Sequence, residues 1–263
     1  MVEGLEALAA LEYPGRFIAL GADKTGEWII AVYGMTGRKQ SSQARRLVLK
    51  DSGPYPKILS RPTNKKVLRE GNPNLLFYPA VMLGAFHLAV SNGRQTPNVF
   101  FSDNSQKSIE VLCEGHEDWM FELDPPVYTP RISGRFGKDK GAALGIIKKD
   151  EFASALKEYF EVPLVCSTGK LIATYSGINS DPPPSFPGSP LAIQFKEKSS
   201  EETVNRFYEA LSPKSPDKDF RVAIASIYYR PERNNQSSIA NISIINKADN
   251  AKVENHSLLI PYS

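Results

Sequence analysis

Short apolar runs separated by polar turns recur along the chain, and their spacing predicts β-hairpins. The apolar run after Tyr13 and the run that ends at Met35 are joined by a polar, glycine-containing turn, which is typical of a hairpin. Two later apolar runs are divided by Gly84 and Ala85 and end at the Ser-Asn-Gly turn of residues 91–93. They predict a second hairpin.

Further strands are predicted towards the C-terminus. Residues 220–229 form one continuous β-rich stretch, and residues 238–245 alternate Ile with polar residues, as a half-buried strand does. Short strands are also expected at residues 47–49, 142–147 and 163–166. Residues 50–74 are rich in Pro, Lys and Asn and predict an irregular connection, and whether it forms an ordered lid stays open at this point.

Two segments have the periodicity of helices. Residues 199–202 carry a capping-box pattern, and the apolar residues that follow recur at helical spacing, which predicts a helix over residues 200–211. Residues 150–161 have apolar side chains at helical spacing and predict another helix. Many short strands with few helices indicate the α+β class, with antiparallel hairpins and helices covering sheet faces.

Composition and charge narrow the function classes. The 263 residues, 41% hydrophobic and 23% charged, correspond to about one to two folded domains. The net charge of +3 is too small for an electrostatic nucleic-acid binder, so any anion site is local. No stretch approaches the roughly 18 apolar residues of a membrane helix, and acidic residues interrupt the N-terminus where a signal peptide is basic. We therefore expect a cytoplasmic protein with neither nucleic acid nor membrane as a partner.

Histidine and cysteine offer little for a metal or redox site. The three histidines are far apart in sequence, which argues against a multi-histidine metal centre. His87 lies among apolar neighbours and is expected in the core. Cys113 and Cys166 have neither zinc-ligand spacing nor basic neighbours, so we expect buried thiols in a reducing compartment.

A basic loop is the clearest candidate for binding chemistry. Between two predicted strands, residues 37–46 carry four cations. A basic loop between strands is well placed to hold an anion. Its cations are Arg38, Lys39, Arg45 and Arg46. Composition and periodicity name no reaction beyond this.

An ordered set of motifs resembles the archaeal-type IMP cyclohydrolases and their bacterial relatives. The set runs from about residue 13 to about residue 230, and the first twelve and the last thirty or so residues do not contribute. Each piece alone is weak, but their common order is specific. The pieces are YPGR at 13–16, GR-x6-R at 37–45, LLFYPAVMLG followed by VSNG-x-QT, YTPRISG at 128–134, and GKLIATY followed by PPSFPGSP.

The resemblance implies a fold and a reaction. The fold is a four-layer α-β-β-α sandwich resembling the N-terminal-nucleophile hydrolases, without the N-terminal nucleophile, because Tyr13 opens the first strand after an intact leader. One domain would span residues 1–263, with leader residues 1–12 outside the match. The reaction is the dehydrative ring closure of the formamido-carboxamide ribonucleotide to IMP in purine biosynthesis. No cofactor or metal is implied, the partners are the purine ribonucleotide substrate and product, and a homo-oligomer is possible.

The resemblance also implies roles for individual residues. Arg45 and Arg38 would anchor the 5′-phosphate, because a guanidinium pairs with phosphate oxygens bidentately. Tyr78 would polarise the formyl oxygen, and Glu122 would take the carboxamide proton. Contact with substrate is expected from three residues in the matching motifs, Asn92, Thr129 and Arg131. The residues counted as catalytic are Tyr78, Glu122 and Arg45.

Each role has a structural alternative that the sequence leaves open. Arg45 could be a solvated loop residue, and Tyr78 a core tyrosine. Glu122 could cap the turn before the Pro-Pro pair, and Arg131 could be a buried structural arginine. Asn92 could belong to a hairpin turn.

The chain departs from its relatives at positions near the expected site. Gln43 replaces an inner arginine of the basic loop, and Arg94 and Pro97 stand where relatives have acidic residues. The alternative reading is therefore a purine-nucleotide-binding relative with lost or altered activity. A third reading is a scaffold or interaction protein, which a purine ribonucleotide would not protect against thermal unfolding.

Overall fold

Two antiparallel sheets form the framework of the computed structural model, which describes residues 5–64, 66, 73–213, 215, 218–232 and 236–261. The described strands are β1 Arg16–Ala22, β2 Ile29–Thr36, β3 Arg45–Lys50, β4 Lys57–Pro62, β5 Tyr78–Leu83, β6 His87–Ser91, β7 Arg131–Gly137, β8 Gly141–Lys149, β9 Ala155–Val162, β10 Thr168–Ala173, β11 Leu191–Gln194, β12 Arg221–Arg230, β13 Ser238–Asn246 and β14 Val253–Ile260. Sheet I has the order β11-β10-β1-β2-β12-β13-β14, and sheet II runs from β3 to β9 in chain order.

Short helices cover the sheets. They are α1 Glu6–Ala9, α2 Gln40–Gln43, α3 Pro73–Leu76, α4 Thr96–Phe101, α5 Ser108–Gly115 and α6 Ser200–Ala210, with a 3₁₀ turn at Lys247–Asp249. Helix α6 packs on β12 and β13 of sheet I, whereas α4 and α5 pack on β5 to β8 of sheet II. No helix in the described ranges is long and apolar enough to cross a membrane.

The alternation of side chains along the strands places the two sheets face to face. Phe17 in β1 stacks on Phe207 of α6, with ring centroids 6.1 Å apart. Its neighbours Ile18 and Leu20 point the other way, against Gly134 of β7 in sheet II. Both faces of sheet I are thus covered, so every residue of β1 and β2 is buried.

Much of the predicted secondary structure is confirmed. The α+β class is correct, and β1 with β2 and β5 with β6 form the two predicted hairpins. Strands β3, β12 and β13 lie where the sequence pattern predicts them. Helix α6 begins as its capping pattern indicates, because the Ser199 side chain accepts a hydrogen bond from the Glu202 amide at 3.1 Å.

The helix predicted over residues 150–161 is wrong, because most of that segment is strand β9. It pairs in register with β8, and Tyr159 lies over Gly145. Tyr159 and Phe160 face opposite sides of sheet II and pack against two separate apolar clusters. Pairing with β8 and packing on both faces outweigh the helical spacing. Residues 163–166, predicted as a strand, form a connection instead.

Three smaller predictions also need correction. Residues 50–74 are not wholly irregular, because they contain β4, although the question of a lid falls partly on residues outside the described ranges. The turn at Asn92 leads into α4 rather than into a hairpin. Cys113 and Cys166 are free and exposed, not buried thiols.

Candidate active site

A cavity of about 190 Å³ lies between the basic loop and the first residue of β1. We call it the arginine cavity, because four cationic side chains and one carboxylate line its wall. They are Arg16, Arg38, Lys39, Arg45 and Asp124. This excess of positive charge favours an anionic ligand.

Two of these cations, Arg16 and Arg45, are buried. Arg45 Nε donates to the Ser42 carbonyl at 2.9 Å, while Arg16 Nε is buried and has no hydrogen-bond partner in the described part of the chain. Within that part, neither guanidinium forms an ion pair with a carboxylate. A buried charge without an acidic partner is costly. The pair is therefore suited to a ligand that brings its own negative charge.

The ionisation of the two arginines reflects this setting. Burial lowers the pKa of Arg45, and the positive charge of Arg16 lowers it further. For Arg16, burial acts in the same direction, but the phenol oxygens of Tyr78 and Tyr175 outweigh it and raise its pKa. Arg16 consequently carries a firmly held charge at neutral pH.

Tyr78 is buried in the core next to the arginine cavity and is not one of the residues that line it. Its hydroxyl oxygen is 2.8 Å from that of Tyr33. Burial would raise the pKa of Tyr78, but the charges of Arg16 and Arg45 and the bond to Tyr33 together lower it below the usual value. Tyr78 is therefore the more acidic phenol of the pair.

Arg38 stands at the rim of the arginine cavity and is held by a neighbouring loop. One of its η nitrogens donates to Asn179 Oδ1 at 3.1 Å and to the Ser180 carbonyl at 2.5 Å. Its guanidinium lies over the Tyr13 ring at 4.8 Å, and Tyr13 stacks on Tyr175 at 5.4 Å. These contacts fix Arg38 beside an aromatic wall.

Thr129 also lines the arginine cavity and takes part in a network of hydroxyl groups. Its Oγ1 donates to Asp124 Oδ2 at 2.7 Å and lies 2.9 Å from the Tyr175 hydroxyl. Burial raises the pKa of Tyr175, so this phenol stays protonated near neutral pH. The network joins the aromatic wall to the carboxylate of the cavity.

Glu122 and Arg131 form a buried, two-pronged ion pair. The η nitrogens of Arg131 contact the two Glu122 oxygens at 2.7 and 3.0 Å. Arg131 also donates from Nε to the Met120 carbonyl at 2.7 Å and from Nη1 to Gln95 at 3.1 Å, and it lies over the Trp119 ring. Every nitrogen of Arg131 is thus engaged within the protein.

Burial raises the pKa of Glu122, although the charges of Arg131 and Arg16 oppose the effect. The ion pair lines a second, larger cavity of about 450 Å³. Arg94, the residue that departs from the relatives' acidic position, lines this second cavity as well. Glu122 therefore lines the second cavity, and the positive charge of Arg16 in the arginine cavity still acts on it.

Asn92 is buried and has all its polar atoms engaged. Its Oδ1 accepts from the Ile132 amide at 2.9 Å and from Gln95 Nε2 at 3.2 Å, and its Nδ2 donates to the Pro130 carbonyl at 2.8 Å. Asn92 thereby ties the end of β6 to the start of β7.

The seven predicted residues thus fall into separate groups. Arg38, Arg45 and Thr129 line the arginine cavity, and Glu122 and Arg131 line the second cavity. Tyr78 and Asn92 are buried. Arg46, counted with the basic loop, points away towards Asp249 at 3.4 Å because it is the second residue of β3.

The sequence patterns missed four residues of the site. Arg16 ends the YPGR motif, and Tyr33 interrupts the apolar run of β2. A polar group in or beside a buried strand is the sequence signal that could have found both residues. Asp124 and Tyr175 carried no comparable signal. Among the described residues, no group of three or more His, Cys, Asp or Glu side chains could hold a metal ion.

Comparison with known proteins supplies the family. The model of the family described as "IMP cyclohydrolase-like protein" matches residues 13–253, and no curated protein matches the chain. The match begins where the ordered motifs begin and confirms the resemblance. It ends at the first residue of β14 rather than near residue 230, so more of the C-terminal part contributes than the motifs indicated. Because the match covers most of its length, this chain belongs to the IMP cyclohydrolase-like family.

Proposed function

We propose that the protein is an IMP cyclohydrolase, which closes the formamido-carboxamide ribonucleotide to IMP with loss of water. The observation that carries the proposal is the pair of buried guanidiniums, Arg16 and Arg45, in a cavity of a chain that belongs to this family. Their charges suit the 5′-phosphate that substrate and product share.

The phosphate would bind between Arg45 and Arg16, with Arg38 at the rim. Arg45 is fixed through Nε by the Ser42 carbonyl at 2.9 Å, and its Nη2 makes only a long hydrogen bond of 3.5 Å to the Thr36 carbonyl, so its η nitrogens can still bind phosphate oxygens. Arg38 is held by the loop at Asn179, so its position does not depend on the ligand. Preorganised cations bind an anion without first ordering flexible side chains.

Ring closure needs orientation and proton transfer rather than a covalent intermediate. The carboxamide nitrogen forms a bond to the formyl carbon of the same molecule, and the formyl oxygen finally leaves as water. One proton must leave the nitrogen, and protons must reach the departing oxygen. We assign the oxygen side to Tyr78 and the nitrogen side to Glu122, whose raised pKa brings it closer to neutral pH.

Of the three residues expected to contact the substrate, Thr129, Asn92 and Arg131, only Thr129 is assigned a direct contact. The Thr129 hydroxyl lines the arginine cavity and is the direct contact. Asn92 and Arg131 are saturated by protein partners, so we propose that they hold Glu122 and β7 in place. This role is the structural alternative that the sequence left open for Arg131.

The wider setting belongs to the same proposal. Helix α6 packs on sheet I, sheet I faces sheet II, and helices α4 and α5 pack on sheet II. This order of layers supports a four-layer sandwich of the N-terminal-nucleophile hydrolase type, in one domain. The reaction would take place in the cytoplasm and need neither metal nor cofactor.

The test is to mix the purified chain with the formylated carboxamide ribonucleotide and to follow IMP formation. Turnover above the uncatalysed rate, lost in Arg45→Ala and retained in Arg46→Ala, supports the proposal. Arg46 is a matched control because it lies next to Arg45 and points away from the cavity. Absence of IMP formation in the wild-type chain overturns it.

A second candidate is a purine-nucleotide-binding relative without this activity. The observation in its favour is that Arg131 occupies both oxygens of Glu122, which leaves this carboxylate less able to take a proton. The departures at Arg94 and Pro97 remove two acidic positions from the same region. Binding of IMP without turnover would establish this candidate.

A further inference from the structure

Asp124 is the one carboxylate among the described residues that line the arginine cavity, and the proposed reaction gives it no role. The other charged side chains in this lining are the cations Arg16, Arg38, Lys39 and Arg45. A carboxylate beside them repels a phosphate that binds to the same cations. Its presence therefore needs a reason other than phosphate binding.

Pairing with the cations does not supply that reason. Within the part of the chain that the structure describes, no Lys or Arg side chain lies at ion-pair distance from Asp124. Arg38, the cation at the rim, contacts Asp181 instead, at 3.6 Å. Asp124 is thus not a structural counter-ion for the arginines of the cavity.

The turn that follows Asp124 holds its carboxylate in a fixed orientation. Oδ1 accepts a hydrogen bond from the Thr129 amide and Oδ2 accepts one from the Thr129 hydroxyl, both at 2.7 Å. The main-chain carbonyl of Asp124 accepts from the amides of Val127 and Tyr128 at 3.0 and 3.3 Å. Both carboxylate oxygens are therefore oriented before any ligand binds.

The carboxylate keeps acceptor positions for a ligand. An ionised carboxylate offers about four of them, and Thr129 fills two. The side chain is half-buried and lines the cavity, so the remaining positions are open to a ligand there. An ionised carboxylate donates no hydrogen bond, so the ligand group that it binds must be a donor. The cavity thus combines cations for an anion with a preorganised acceptor for hydroxyl or amino groups of the same ligand.

Sugar hydroxyls are the donors that fit this acceptor. The substrate and the product of the proposed reaction share a 5′-phosphate and a ribose with two neighbouring hydroxyls. The purine ring of IMP has a single N–H donor, at the nitrogen that ring closure uses. Two neighbouring hydroxyls can bond both oxygens of one carboxylate, and acidic residues bind ribose hydroxyls in dinucleotide-binding folds.

We propose that Asp124 is a specificity-determining residue that accepts hydrogen bonds from the 2′- and 3′-hydroxyls of a ribonucleotide whose 5′-phosphate lies at Arg16 and Arg45. Thr129 positions this carboxylate. The inference rests on the proposed function for the place of the phosphate, but not on turnover. The bonds to the hydroxyls offset the repulsion between carboxylate and phosphate, whereas a ligand without these hydroxyls experiences the repulsion alone.

The experiment is titration calorimetry of the full chain with IMP, with 2′,3′-dideoxy-IMP and with inorganic phosphate, at fixed, moderate salt. We expect the wild type to bind IMP about 10- to 150-fold more tightly than the dideoxy analogue, the equivalent of one hydrogen bond to a charged group. Asp124→Asn keeps the shape of the side chain and an oxygen for the Thr129 amide. It should reduce this preference at least about fivefold, because hydrogen bonds to a neutral amide are weaker. Its affinity for inorganic phosphate should be equal to that of the wild type or higher, because a negative charge is removed.

Asp150→Asn is the matched control. Asp150 also accepts main-chain amides through one carboxylate oxygen, from Phe152 at 3.0 Å and from Ser154 at 2.6 Å. It is not among the residues that line the arginine cavity. Asp150→Asn should therefore leave both the preference for IMP and the affinity for phosphate unchanged.

Equal affinities of the wild type for IMP and its dideoxy analogue would overturn the inference, and so would a wild type that binds neither. A uniform loss of affinity for all three ligands in Asp124→Asn would also overturn it, because a purely structural role has that result. If Asp124→Asn does not fold, the comparison of the two nucleotides on the wild type remains a test that the inference can fail.

Failure of ring closure is a separate outcome. A chain that prefers IMP through Asp124 but forms no IMP from the formylated carboxamide ribonucleotide keeps this inference and loses the proposed function. A chain that forms IMP without this preference keeps the proposed function and loses the inference.

Discussion

Removal of Arg45 tests the anion site most directly, because the structure separates its effect on binding from its effect on folding. The side chain is buried beside the like charge of Arg16 and has no ion-pair partner among the described residues. Its one close hydrogen bond in the free protein goes from Nε to the Ser42 carbonyl. Arg45→Ala therefore removes a repulsion together with that bond, and we expect a melting temperature near that of the wild type.

The loss of affinity should be much larger than the change in stability. A hydrogen bond to a charged group contributes about 1.5 to 3 kcal/mol, so Arg45→Ala should raise the Kd for IMP by about 10- to 150-fold. Arg45→Lys should recover only part of this loss, because an ammonium lacks the two-pronged geometry of a guanidinium. Titration calorimetry at fixed, moderate salt measures both values.

Arg46→Ala is the control, because Arg46 carries the same charge on the opposite face of β3. It should leave the Kd for IMP within about twofold of the wild type. Unchanged IMP affinity in a folded Arg45→Ala protein would refute the assignment. The phosphate would then have to bind elsewhere, with Arg131 as the next arginine to substitute.

Three further predictions concern chemistry and stability. Tyr78→Phe should lower kcat about 10²- to 10⁴-fold in steady-state kinetics, with little change in IMP affinity. Tyr229→Phe, the control, should leave kcat unchanged, because the buried hydroxyl of Tyr229 bonds the Gly84 carbonyl instead. A kcat for Tyr78→Phe equal to that of the wild type would contradict the role of Tyr78. Glu122→Gln should lower the free energy of unfolding by about 3 to 5 kcal/mol in denaturant titrations, because it leaves Arg131 buried without its carboxylate, and full stability would exclude the ion pair as a structural element. The pKa of His116 is lowered to about 3 by burial and by nearby cations, so the folded state binds its proton less readily than the unfolded state does. Stability should therefore be fully present above about pH 6.5 and fall towards pH 3 by up to about 1.4 kcal/mol per unit, and His116→Gln should flatten that slope in melting experiments.

The parts of the fold that were predictable are those that local patterns specify. Helix α6 has its own cap and apolar stripe, and the β1–β2 hairpin has its own turn, so neither depends on distant residues. Strand β9 was missed because its conformation depends on the free edge of β8 and on Gly145, which makes room for the Tyr159 ring. Spacing along one segment contains no information about a pairing partner of this kind.

The same distinction applies to the candidate site. The basic loop was visible as a cluster of cations, but only the start of β3 at Arg45 decides that Arg45 points inward and Arg46 outward. Arg16 and Tyr33 come from β1 and β2 and reach the site through contacts between the two sheets. Their involvement follows from how the sheets pack, which the sequence pattern does not express.

The electrostatics of the arginine cavity also determine which experiment separates the three functional readings. Because Arg16 and Arg45 repel each other in the free protein, a bound phosphate adds its own contacts and relieves that repulsion. At 100 times its Kd, IMP should stabilise the fold by about 2.7 kcal/mol, which corresponds to a rise in melting temperature of several degrees. A scaffold protein would show no such rise, and a binding relative would show it without turnover. Only an enzyme would combine a rise that Arg45→Ala abolishes with IMP formation, so measuring both on one pair of variants distinguishes all three.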